Sequence, residues 1–286
     1  MKQLKQLQLA LVFALMMVLV FAPVIGAEEK EHATKEQVAT EGHKTEGHAK
    51  EEHKGAAPHA HWTYEGAEGP EHWGDLSPTY ATCKIGKSQS PIDIPKVEAA
   101  TETAIAFSYA QTPLKIINNG HTIQVNYSPN STITINGKEY KLMQFHFHSP
   151  SEHTLMGESF PMEAHIVHAT KDKELAVIGV LFKVGAENPF IKTLWEHLPQ
   201  KVDKEETVKG VNINAKQLIP TNTATYYNYS GSLTTPPCSE NVNWNVLQTP
   251  IEVSQEQVDK FVSLIGKNAR PVQPINERDV KSINKK

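Results

Sequence analysis

The apolar positions of this chain fall mostly in short β-branched runs separated by turn residues, not at the three- and four-residue spacing of helices. Ile116-Ile117, Thr122-Ile123-Gln124-Val125-Asn126-Tyr127, Thr132-Ile133-Thr134-Ile135 and Ala176-Val177-Ile178-Gly179-Val180-Leu181-Phe182 each read as a strand. Ile135-Asn136-Gly137-Lys138 carries Asn-Gly, the pair best suited to a two-residue hairpin turn because both positions take positive φ. Two segments keep helical spacing. Asn188-Pro189 caps one that is expected to run through Phe190, Leu194, Trp195 and Leu198 until Pro199 stops it. Ser254, with Gln257 three residues on, opens another that places Val258, Phe261, Val262 and Ile265 on one face and ends at Gly266. The pattern predicts a mainly β single domain: a large, mostly antiparallel central sheet with peripheral helices.

One stretch breaks the apolar pattern with histidine. Gln144-Phe145-His146-Phe147-His148 alternates, so on an extended strand the two imidazoles share one face and the two phenyl rings the other. Glu163-Ala164-His165-Ile166-Val167-His168 reads as a second strand with Glu163 and His165 on one face. If the two strands pair antiparallel, His146, His148 and His165 converge. Three neutral nitrogens with a fourth position open describe a catalytic rather than a structural zinc site. Gln144 and Glu163 each stand two residues before a candidate ligand, on its face. Each can therefore accept that ring's other N–H and fix its tautomer.

Composition sharpens the ends of this picture. Lys2 and Lys5 precede an apolar run from Leu9 to Phe21, and Ile25-Gly26-Ala27 offers small residues for cleavage, so residues 1–27 read as a signal peptide. The run is short for a membrane span, and a periplasmic or secreted product with no membrane attachment after cleavage is expected. Residues 28–60 are rich in Glu, Lys and His and poor in large apolar side chains. They are expected to stay a flexible tail, since they cannot bury enough surface to offset ordering entropy. His32, His43, His48, His53, His59 and His61 leave two readings of this segment open, a soluble spacer and a metal buffer. The remaining 61–286 are long enough for one sizeable core. With 28 Lys and Arg against 32 Asp and Glu, and no basic stripe, nucleic-acid partners are not indicated.

Taken together the motifs resemble the α-class carbonic anhydrases. They are Trp62-x-Tyr64, Gly69-Pro70-Glu71-His72-Trp73, Gln89-Ser90-Pro91-Ile92, Asn118-Asn119-Gly120-His121, the two histidine strands, Ser151-Glu152-His153, Tyr229-x-Gly231-Ser232-Leu233-Thr234-Thr235-Pro236-Pro237 and Asn268-x-Arg270-Pro271-x-Gln273. The resemblance runs from about His61 to the end. It implies a twisted sheet of roughly ten strands and a zinc lyase that reversibly hydrates CO2 to bicarbonate and a proton, by attack of zinc-bound hydroxide. In that family zinc brings the pKa of its bound water to about 7, a property of the family and not a result for these residues.

Position by position, the resemblance implies that His146, His148 and His165 hold Zn2+. Glu152 and Thr234 match the pair that orients the nucleophile, with Thr234 N–H facing the substrate oxygen on which charge develops. Val167, Val177, Leu233, Thr235, Val242 and Trp244 match the lining of the CO2 site. His121 matches the proton shuttle, and Tyr64 and Asn119 match residues that order the connecting waters. Gln124 falls where many relatives carry asparagine. Cys83 and Cys238, the only two cysteines, match positions bridged in exported bacterial relatives, with two free thiols as the alternative. A homodimer is expected by analogy alone. Two other functions compete with the enzyme: an exported zinc buffer, which would not need Glu152, Thr234 or His121, and a zinc hydrolase acting on esters, for which no extended recognition loop is evident.

Overall fold

The computed structural model describes residues 60–101, 104–128 and 130–284. The expected signal peptide and nearly all of the expected tail lie outside the described residues. In chain order the strands are β1 (Asp93–Ile94), β2 (Ala99–Ala100), β3 (Ala106–Ser108), β4 (Thr112–Asn118), β5 (Ile123–Asn126), β6 (Thr132–Ile135) and β7 (Lys138–His148). They continue as β8 (Thr154–Leu155), β9 (Met162–Ala169), β10 (Leu175–Val184), β11 (Glu206–Ile213), β12 (Thr225–Ser232), β13 (Glu240–Val253) and β14 (Lys281–Asn284). Ten of them form one sheet in the order β11-β4-β5-β7-β9-β10-β13-β12-β14-β2, and β6 and β3 extend it from β7 to make twelve. Within this sheet pairing is antiparallel except at β10–β13 and β14–β2, while β1 and β8 pair parallel in a separate two-stranded sheet. The sheet is therefore mixed but mostly antiparallel, as its strand pattern predicts.

The β6–β7 hairpin turns on Asn136 and Gly137, with φ of 49° and 77°, the positive pair that Asn-Gly supplies without strain. Helix α4 (Gln255–Ile265) carries the capping box read from Ser254 and Gln257. Helix α3 (Pro189–Trp195) is capped by the Asn188 side chain but is shorter than its apolar spacing suggests. Its last turn tightens, with His197 N bonding to Leu194 O, and Leu198 packs on the core from outside the helix. The residue before Pro199 is pushed away from helical geometry, which accounts for the early end. Two four-residue helices, α1 (Trp73–Leu76) and α2 (Thr82–Ile85), were not legible from spacing, since one turn shows no period.

The sheet separates two clusters. On one face, Phe145, Phe147, Ala164, Ile166, Ile178 and Val180 form the main core with Phe190, Trp195 and Phe261 of α3 and α4. On the other, Val177, Leu181, Tyr229, Val242, Trp244 and Val246 form a second cluster. A bulge in β7 decides which face the histidines take. Leu142 pairs with His168 and Gln144 with Val167, so one extra residue, Met143, sits in β7 and is 52% exposed. Before the bulge Tyr140 and Leu142 face the main core; after it Phe145 and Phe147 do. The odd residue reverses the alternation and turns His146 and His148 to the far face.

Candidate active site

His146 lies directly opposite His165 in the β7–β9 register, so two imidazoles meet across the strands and His148 joins them two residues along. Ring centroids are 5.0 Å apart for His146 and His148, 5.3 Å for His146 and His165, and 4.4 Å for His148 and His165. One nitrogen of each ring lies within 4.8 Å of the others. The platform beneath is stiff: Phe147, between the two β7 histidines, packs edge-on against Trp195 at 5.1 Å and also against Phe261.

The remaining nitrogen of each ring has an oxygen beside it. His146 Nδ1 is 2.8 Å from Gln144 Oε1, His148 Nδ1 is 2.8 Å from the Asn268 carbonyl, and His165 Nε2 is 3.0 Å from Glu163 Oε1. That leaves Nε2 of His146, Nε2 of His148 and Nδ1 of His165 to face the shared centre. Burial lowers the pKa of all three rings, to about 4 for His148 and well below the ordinary 6.5 for His146, where the neighbouring rings lower it further. Neutral imidazoles at pH 7 have lone pairs to offer. His148 Nε2 is also a buried polar atom with no hydrogen-bond partner in the protein, and so is Glu152 Oε2, 3.5 Å from it. A neutral three-imidazole set with such orphaned atoms fits a metal ion.

His153, Glu163 and His165 form a second group with converging atoms. Here the carboxylate is already satisfied, since Glu163 Oε2 accepts from the backbone of Glu152 and His153 and Oε1 meets both rings. His153 Nε2 in turn meets Tyr229 Oη at 2.7 Å, and Tyr229 Oη meets Ser90 Oγ at 2.8 Å. The second group is thus a buried hydrogen-bond chain that orients His165. Gly179 makes room for it: a Cβ there would stand 2.9 Å from Glu163 Oε1.

Glu152 is 2% exposed and lies beside the three rings, with Oε2 3.7 Å from His165 Nδ1. Burial raises its pKa to about 7, opposed by His165, by the Arg270 N–H that donates to Oε1 at 2.8 Å, and by hydrogen bonding to Thr234. Arg270 is itself buried, donating to Gln89 Oε1, Ser90 O and Cys83 O while stacking over Trp73. Cys83 and Cys238 are disulfide-bonded across 155 residues, a closure corresponding to about 4 to 5 kcal/mol on the loop-entropy account. Cys238 N donates to Thr235 O and Leu233 N to Ser239 O, so the bridge anchors the loop that presents Thr234.

Val167, Val177, Leu233, Val242 and Trp244 all belong to the second cluster, and the Trp244 ring lies 4.8 Å from that of His165. Thr235 follows in the same loop. Gln124 pairs with His146 in the β5–β7 register and donates to Asn126. His121 stands at the rim in a cavity of about 310 Å3 shared with His61, Trp62, Tyr64 and Lys267. Its ring stacks on Trp62 at 3.7 Å. Burial and then His61 lower its pKa, and Asp203 opposes them. Tyr64 stays a phenol, its pKa raised by burial and by Glu152. The Asn119 side-chain oxygen accepts from the N–H groups of His121 and Thr122, closing the turn, which leaves its NH2 free to meet water. Asn268, Arg270 and His153 were visible only as parts of motifs. Asn268 and Arg270 act through main-chain atoms and partners over a hundred residues away, and His153 through Glu163 and Tyr229, 10 and 76 residues away, none of which leaves a periodic signal in the sequence.

Residues 68–284 match the family model of the eukaryotic-type carbonic anhydrases. The carbonic anhydrase of Nostoc sp. is 45% identical over 222 residues, covering 76% of this chain and 84% of the relative. Among solved structures, the α-carbonic anhydrase of Thermovibrio ammonificans, in complex with the inhibitor sulfanilamide, is 46% identical with a TM-score of 0.75 over 79% of this chain and all of that one. A hyperthermostable carbonic anhydrase from an active hydrothermal vent chimney is 51% identical with a TM-score of 0.76, over 78% of this chain and all of that one. The chain belongs to the α, or eukaryotic-type, carbonic anhydrases, a family of lyases. Membership supports CO2 hydration as its activity, with small molecules as its partners.

Proposed function

We propose that this protein hydrates CO2 with a zinc ion held by His146, His148 and His165. The observation that carries the reading is the set of three neutral imidazoles, two buried and one half-buried, each with its second nitrogen beside a different oxygen, of Gln144, Asn268 or Glu163. Zinc, when bound, supplies the Lewis acidity that makes a water nucleophilic near neutral pH. The protein supplies direction. In its ionised form, which predominates above about pH 7, the Glu152 carboxylate has no proton to give, so the Thr234 hydroxyl donates to it and turns a lone pair toward the attacking water. Thr234 N–H is the donor for the CO2 oxygen that gains charge. Val167, Val177, Leu233, Val242 and Trp244 give the apolar substrate a surface beside the reacting water, and Thr235 borders it.

His121 takes the proton that each turnover releases and passes it to buffer. Its lowered pKa makes the protonated ring a ready donor, and Tyr64 and the Asn119 NH2 border the water path between. The disulfide is consistent with export, and among the described residues no helix is long and apolar enough to cross a membrane. We read the mature protein as periplasmic or secreted, and as a homodimer.

Stopped-flow CO2 hydration, with zinc measured on the same sample and a chelated control, tests the reading. Fast hydration that tracks one zinc per chain and disappears on chelation is expected. One zinc per chain without hydration would instead make this an exported zinc-binding protein.

A further inference from the structure

Asn268, 1% exposed in the segment after α4, carries a carboxamide that the chemistry above leaves unused. Its backbone oxygen accepts from His148 Nδ1, its backbone N–H donates to Ser149 O at 3.1 Å, and its Oδ1 accepts from Ser149 N at 2.8 Å. The residue thus docks on the end of β7. Its Nδ2 has two protons, both used: one donates to Phe147 O at 2.9 Å and the other to His121 O at 3.0 Å. A single buried residue therefore holds the ring of His148 through its backbone and the main chain of His121 through its side chain.

We propose that Asn268 is a positioning residue for proton transfer, its carboxamide fixing His121 at a set span from the three-histidine centre. The inference rests on reading His121 as the proton acceptor. The turn that carries His121 needs such a tie. Gly120 and His121 are held mainly by local bonds, from Gly120 N to Asn118 Oδ1 and from His121 N to Asn119 Oδ1. Those bonds shape the turn without fixing it to β7. Thr122 Oγ1 does bond Phe147 O, so loss of the carboxamide should loosen the turn without releasing it. Transfer along a short water path is sensitive to misplacement, and a shift of about 1 Å can cost up to about 100-fold in a positioned reaction. With Thr122 still bonded to both the N–H and the carbonyl of Phe147 and the His121 ring still stacked on Trp62, a cost of about five- to tenfold is the expectation.

Asn268→Ala tests this, because it removes both side-chain donors and keeps the carbonyl that holds His148. Metal affinity by chelator competition should stay within about threefold of the parent. Hydration should fall by about five- to tenfold at low buffer and recover in high imidazole, which reaches the site without His121. In a double-mutant cycle, Asn268→Ala should add nothing once His121→Ala is present. An equal loss at low and high imidazole, or a full additional loss in the His121→Ala background, would overturn the proposal. If Asn268→Ala does not fold, Asn268→Ser is read the same way. A parent protein that binds zinc yet hydrates no CO2 at any imidazole concentration would instead overturn the reading on which the proposal rests.

Discussion

His165 and His168 stand three residues apart on β9, both essentially inaccessible to solvent and both held neutral by burial. By the criteria usually applied to one histidine at a time they are equivalent. They face opposite sides of the sheet. His165 meets two other imidazoles and a carboxylate chain. His168 meets Tyr109, whose hydroxyl lies 2.8 Å from Nε2 while the rings stack at 5.8 Å, and around it lies the main core. The difference teaches that burial and neutrality do not bring imidazoles together. Strand phase does, because it decides whether the next nitrogen is another imidazole or a phenol.

The strongest way to break this comparison is to remove each ring in turn. His165→Ala should lower zinc affinity by more than about 100-fold, beyond what loss of an outer partner costs, whereas His168→Ala should keep one metal per folded chain. Chelator competition reads both, and equal losses would erase the distinction. Thr234→Ala comes next. It should leave the metal bound and lower kcat/KM for CO2 by about 100-fold, since it removes an orienting hydroxyl and no ligand. Glu163→Gln should have a smaller effect still, about 10- to 100-fold on metal affinity alone. The amide cannot accept from both rings and two backbone N–H groups as the carboxylate does.

Much of this was legible in the sequence because the signals are local. The i, i+2 spacing of His146 and His148, the acceptors Gln144 and Glu163 two residues before a candidate ligand, the Asn-Gly hairpin and the Ser254 capping box all act within a few residues. The bulge at Met143 was not legible. Read as a continuous strand, Tyr140, Leu142, Gln144, His146 and His148 would share one face, and only the partner strand reveals that one residue too many separates Leu142 from Gln144. Asn268 and Arg270 escaped for a related reason. Their partners, His148, His121 and Glu152, lie more than a hundred positions away and are reached partly through main-chain atoms, which every residue possesses. The helix at Asn188 was overextended because Leu198 keeps the apolar spacing although the chain before Pro199 cannot keep the helix.

The subtlest contrast concerns acid. Burial takes His168 down from 6.5 to about 3, although the nearby backbone of Ala176 and Ile166 opposes the shift. Between those two values the unfolded chain carries a proton on this ring and the folded chain does not. Stability from this group is therefore complete above about pH 6.5 and is lost progressively as the pH falls toward 3. At pH 4.5 the loss amounts to about 2 to 3 kcal/mol. His168→Gln keeps an acceptor for the Tyr109 hydroxyl and cannot titrate, so it should flatten this part of the curve. Urea unfolding of the two proteins at pH 7.5 and pH 4.5 reads the difference, in which the groups common to both, His148 and Glu163 among them, cancel. The variant should be the less stable at pH 7.5, where it carries only the packing cost, and should lose less on acidification. Parallel losses would mean that His168 does not titrate on unfolding as its burial requires. The same titration leaves CO2 hydration at pH 8 untouched, because the ring lies on the face of β9 that the reaction never sees.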